Sequence, residues 1–167
     1  MDDRHGAPGA TPIVEQRPSG SLLLAAGAGL GAAAVGGVVW GLVVKWSDYE
    51  IGIVAWGIGF LVGAAVVAAT RGGKGPALQA IAVVSALAGI LLGKYLGFAF
   101  VVQEQAEAAG VKLGLLSSEL RTLFREDLGS VFGLFDLLWI GLALYTAWRA
   151  LQRPEPEPSP DLDRPVE

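Results

Sequence analysis

Residues 22–44 read LLLAAGAGLGAAAVGGVVWGLVV, with no charged or amide side chain from Leu22 to Val44. A hydrocarbon core of about 30 Å is crossed by a helix of about 20 apolar residues, and this stretch is long enough. Three further runs lie downstream. Ile51 to Thr70 carries no charge, Ala77 to Val102 is interrupted by Lys94, and Val131 to about Ala150 is interrupted by Asp136. The pattern predicts an all-α chain, an integral membrane four-helix bundle over residues 21–150, with spans at about 22–44, 51–70, 77–102 and 131–150.

Composition agrees. Hydrophobic residues make up 53% of the 167 before the 24 glycines are added, whereas about 45–50% with glycine included is usual for soluble domains. Glycine inside apolar runs fits close helix packing in lipid. The net charge of −4 and the absence of a basic patch argue against nucleic acid as a partner. The chain has no cysteine and one histidine, His5, so disulfides, thiolate nucleophiles and zinc–thiolate sites lack their parts. No cofactor is expected. No Ser-His-Asp set appears and no carboxylate pair lies inside a span, so the chain does not read as an enzyme.

Helix-end chemistry supplements hydropathy. Ser47-Asp48-Tyr49-Glu50 fits a capping box and predicts that the second helix starts there. That box accounts for Glu50 without a functional role. Ser130 is the expected N-cap of the fourth helix. Arg71-Gly72-Gly73-Lys74-Gly75-Pro76 predicts a tight basic turn between the second and third. Trp46 and Tyr49 mark one membrane face, Tyr145 and Trp148 the other. The first span follows Asp2 and Asp3 and exceeds the about 7–15 apolar residues of a cleavable leader, so it reads as a retained anchor. Seven Lys and Arg fall on the side of the termini and the second loop against four on the other, placing both termini in the cytoplasm.

Between the third and fourth spans, Leu116, Leu120, Phe124 and Leu128 recur every four residues among Ser, Glu and Arg. This predicts an amphipathic helix at about 115–128, lying at the bilayer interface. The N-terminal tail, 1–20, and the Pro/Glu-rich tail, 151–167, read as disordered.

Small residues at four-residue spacing let helices approach closely where lipid supplies no hydrophobic drive. The first span carries Ala25, Gly29, Ala33, Gly37 and Gly41; the second Ala55, Gly59 and Gly63; the third Ser85, Gly89, Gly93 and Gly97. The fourth offers Gly133, Ala143 and Ala147 and is expected to supply bulk through Phe135, Leu138 and Trp139.

At Tyr49-Glu50-Ile51-Gly52, Ala55-Trp56-Gly57-Ile58-Gly59, Gly93-Lys94-Tyr95 and Phe135-Asp136-Leu137-Leu138-Trp139 the chain resembles a group of small bacterial four-span membrane proteins with no assigned activity. The resemblance covers roughly residues 22 to 150 and implies a bacterial inner-membrane location and four helices, but no mechanism. Those relatives often carry an N-terminal zinc ribbon, which a chain without cysteine lacks.

Two function classes remain. The first is a non-catalytic structural or accessory component of a membrane assembly, with lipid and either a second copy or a larger complex as partners. The alternative is a small transporter or channel in which Lys94, Asp136 and Glu50 mark an intramembrane polar site. Lys94 and Asp136 fall at similar depth from one face at about 1.5 Å per residue. Snorkelling accounts for the lysine alone and the helix dipole for the aspartate alone, whereas an ion pair accounts for both.

Overall fold

The structure, a computed structural model, describes residues 19–47 and 52–153. Among them are five helices and one short helical turn, with no strand: α1 Ser19–Ser47, α2 Ile53–Ala69, α3 Pro76–Ala108, α4 Ser118–Glu126, the turn α5 Leu128–Val131, and α6 Leu134–Ala150. Two of them, α1 and α3, are long and apolar enough to cross a membrane; α2 is a shorter apolar helix. Four helices pack along one another, with α1 against α3 and α2, and α6 against α2 and α3.

The small residues make this packing. Ala25, Gly29, Ala33, Gly37 and Gly41 are all buried, as are Ala55, Gly59 and Gly63 on α2 and Ser85, Gly89, Gly93 and Gly97 on α3. A Cβ built on Gly37 would lie 2.7 Å from the Gly89 carbonyl oxygen, and one on Gly89 2.9 Å from that of Ala33. The backbones of α1 and α3 therefore touch where both ladders have glycine. Gly29 faces Ser85, Gly41 faces Leu96 and Gly97 faces Val44, so the two helices stay in contact over most of their shared length. Gly57, in contrast, faces open space.

Several expectations are corrected. Ser47 is the last residue of α1, where its hydroxyl donates to the Val43 carbonyl at 2.7 Å, and α2 opens only at Ile53. Glu50 and the rest of the expected capping box, Asp48 and Tyr49, lie outside the described residues, as do most of both tails. The third helix continues past Val102 to Ala108, because Gln103-Glu104-Gln105-Ala106-Glu107 are good helix formers whatever their hydropathy. The chain turns away just beyond it at Gly110, whose φ of 78° lets the Val111 amide reach back to the Ala106 carbonyl at 2.8 Å.

The amphipathic helix is shorter than expected, Ser118–Glu126, and is capped by Ser117, whose hydroxyl accepts from the Leu120 amide at 3.3 Å. It docks on α3 through Phe124, edge-on to Tyr95 and Phe98 with centroids 5.2 and 5.5 Å apart. The last helix begins at Leu134, not Val131, with Gly133 rather than Ser130 as its N-cap. Its contact with α2 is made by small residues: Ala143 and Ala147 are buried against Gly59 and Gly63, whereas Phe135 and Leu138 point outward. Only Trp139 supplies the expected bulk, against Gly52.

Candidate functional site

Lys94 belongs to the buried face of α3, between Gly93 and Gly97 of its ladder. Helical geometry turns it about 100° from Gly93, toward the side where α6 arrives. Its neighbours enclose the side chain. Trp40 of α1 crosses over Gly93, whose missing Cβ leaves room for the indole, and Phe132 leads into α6. The ammonium lies 5.7 Å from the Trp40 ring centroid and 5.6 Å from that of Phe132, both within cation–π range. The lysine is 1% exposed.

Asp136 is the third residue of α6, and its two oxygens have separate tasks. Oδ2 accepts from the Gly133 amide at 2.8 Å, which satisfies a donor at the helix start that has no carbonyl one turn earlier. Oδ1 lies 3.0 Å from Lys94 Nζ, forming a salt bridge between a fully enclosed ammonium and a carboxylate that is 18% exposed. A short side chain at this position of the helix is held by the cap bond, so its outer oxygen is aimed at α3 before the lysine is considered. The capping and ion-pair explanations of Asp136 thus hold together. Electrostatically the carboxylate gains from the positive end of α6 and from the ammonium at once.

The geometry is that of a closed pair. Two aromatic faces, a helix start and close-packed glycines surround the ammonium, so each charge has its compensation inside the protein. Leaving the enclosed ammonium without the carboxylate would cost about 3–5 kcal/mol, the penalty of an unpaired buried charge; the carboxylate, 18% exposed, would lose less.

Of the packing residues expected from the sequence, Gly29, Gly37, Gly41, Gly89, Gly93 and Gly97 lie at the α1–α3 contact, and Gly59 and Gly63 at the α2–α6 contact. The structure brings Lys94 and Asp136 together. Sequence reasoning missed Trp40, which is fully enclosed and whose indole N–H has no hydrogen-bond partner among the described residues. The only signal for it was a large aromatic placed between the ladder glycines Gly37 and Gly41. It also missed Gly133, since capping preferences favour Ser130, and the bond from the Trp56 indole to the Thr146 hydroxyl at 3.0 Å, which ties α2 to α6.

Among the described residues no group of three or more His, Cys, Asp or Glu side chains converges as a metal site would require. No protein-family model, curated protein or solved structure matches this chain.

Proposed function

We propose that this chain is a non-catalytic integral membrane protein of the bacterial inner membrane, a structural or accessory component of a larger assembly. In this reading α1, α2, α3 and α6 cross the bilayer as a four-helix bundle, both termini are cytoplasmic, and α4 rests at the opposite interface. The observation that carries it is the distribution of side-chain size. Alanine and glycine fill the contacts between helices, while Leu23, Phe60, Val84 and Phe135 are 75, 59, 64 and 79% exposed. In water each such side chain left outside would forgo about 1.5–3 kcal/mol of burial, and a patch this extensive would aggregate. In lipid nothing is lost. A soluble core helix would also be mostly buried, whereas 28% of the apolar window of α1 is.

The accessory role is supported by the closure of the Lys94–Asp136 pair, whose charges are matched by the protein itself. A second reading, a small transporter or channel, is favoured by one observation: the unpartnered Trp40 indole N–H lies on the ring that covers the ammonium.

Alkaline extraction of membranes should leave the protein in the pellet, and its release into the wash would overturn the membrane reading. Purification in mild detergent then separates the two roles. A stoichiometric partner protein is the expected result. A pure homo-oligomer that conducts ions in liposomes, and stops doing so as Asp136→Asn, would replace the accessory role with transport.

A further inference from the structure

At the end of the molecule far from Lys94, the turn between α2 and α3 meets the last turn of α6. Four successive carbonyls at that end of α6, 148–151, accept hydrogen bonds. Trp148 O accepts from Gln79 Nε2 at 3.3 Å, Arg149 O from the Gln152 amide at 3.2 Å, Ala150 O from Lys74 Nζ at 2.7 Å, and Leu151 O from the Gly75 amide at 3.1 Å. The negative end of α6 is therefore satisfied by Lys74, Gln79 and backbone amides, and it makes no demand on the arginines beside it.

Those arginines line a cleft of about 810 Å³ formed by Gly75, Pro76, Gln79, Arg149, Gln152 and Arg153. Among the described residues its lining holds two cations, two amides and no acid. Gln79 is 7% exposed and held by its bond to Trp148, so the floor of the cleft is fixed. Arg149 is braced by a bond from Nη1 to the Tyr145 hydroxyl at 2.9 Å. Among the described residues no carboxylate pairs with either guanidinium. The first turn of α3, opened by Pro76, directs the positive end of a long helix into the same space. Guanidinium groups and a helix start together suit a tetrahedral oxyanion, which arginine binds through paired N–H donors.

We propose that this cleft binds a phosphate group, presented by the headgroup of an anionic phospholipid. The lipid source rests on the membrane reading: Tyr145 and Trp148, 53 and 41% exposed beside the cleft, place it at headgroup depth in that reading.

The test uses the full chain in mild detergent, titrated with short-chain phosphatidylglycerol, phosphatidylcholine or inorganic phosphate, with thermal stability and native mass spectrometry as readouts. Phosphatidylglycerol should bind saturably, one per chain, and the double variant Arg149→Gln/Arg153→Gln should weaken it by a factor of roughly 30. The variant Arg121→Gln/Arg125→Gln, with the same change of net charge at α4, should bind as the wild type does. Equal weakening in both variants, or equal binding of phosphatidylcholine, would overturn the site. Saturable binding of inorganic phosphate with the same affinity would overturn the lipid as its source. A protein that stays with alkaline-washed membranes yet fails these titrations would sink the cleft and leave the membrane reading standing.

Discussion

Gly59 and Gly57 sit two residues apart on α2 and should respond to the same substitution with opposite sign. A Cβ on Gly59 would fall on the backbone of Ala143, overlapping its carbonyl oxygen and lying 2.7 Å from its carbonyl carbon and Cα. Backbone is the least compliant neighbour, so α6 must retreat by roughly 1 Å to restore an ordinary contact of about 3.5–4 Å. That retreat would also part Ala147 from Gly63 and loosen Trp139 against Gly52. Overpacking of this kind costs about 1–3 kcal/mol, against which alanine returns about 0.8–1 kcal/mol of helix propensity. At Gly57 nothing lies within 4 Å of the added methyl, so only the propensity gain remains. Gly59→Ala should therefore be destabilised by up to about 2 kcal/mol and Gly57→Ala stabilised by up to about 1 kcal/mol. Unfolding in one detergent, followed by tryptophan fluorescence with both variants beside the wild type, would read the difference. Melting shifts of the same sign and size would refute the account of α2–α6 packing.

The ion pair lends itself to a double-mutant cycle. Asp136→Leu, which strands the enclosed ammonium, should cost about 3–5 kcal/mol, Lys94→Met, which strands a partly exposed carboxylate, should cost less, and the double variant should recover much of the loss; strictly additive losses would mean that the side chains do not interact. Asp136→Asn keeps an oxygen for the Gly133 amide, so it should retain about 0.5–2 kcal/mol that Asp136→Leu loses. For topology, single cysteines at Gly73 and Ala108 should differ, with Ala108→Cys labelled by an impermeant thiol reagent in intact spheroplasts and Gly73→Cys protected; the reverse pattern would invert the proposed orientation. At the start of α4, hydrogen bonds from its own backbone amide and the Ser118 hydroxyl hold the Glu119 carboxyl below its ordinary value of 4.5. A lowered folded value means that this support is present at neutral pH and lost as pH falls through it. Hydrogen exchange corrected for intrinsic rates should show the first turn of α4 loosening as pH falls below 4.5 in the wild type and no acid dependence in Glu119→Gln.

What the sequence made legible was whatever repeats along one helix. Gly37 and Gly89 could be placed at contacts because a four-residue ladder defines a face without reference to a partner. Lys94 and Asp136 could be matched because a charge inside an apolar run has few means of compensation, and depth along a helix is simple arithmetic. Hydropathy, however, measures a preference for lipid and not for helix, so the polar but helix-forming stretch from Gln103 to Ala108 was cut from α3. Ser130 is the cap that the sequence points to because capping preference is judged on the N-cap side chain, whereas here Gly133 takes that place and the capping oxygen comes from Asp136, three residues into the helix. Size alone suggests Phe135 and Leu138 as the bulk that α6 contributes. In close helix contacts size works the other way, and the alanines at 143 and 147 take the inner face. Bonds such as Lys74 to the Ala150 carbonyl join residues too distant in sequence for any local pattern to reveal.

The split use of the Asp136 carboxylate also has a consequence for the order of synthesis. Lys94 leaves the ribosome well before its counter-ion, and α1, α2 and α3 already contact one another without α6. Until the last helix arrives, the ammonium has the Trp40 ring to rest against but not the Asp136 carboxylate or Phe132. Docking of α6 completes the cluster in one event, since the bond that starts the helix also fixes the oxygen that meets the lysine. A nascent chain stalled before residue 131 would therefore hold the Lys94 ammonium on α3 without the Asp136 carboxylate.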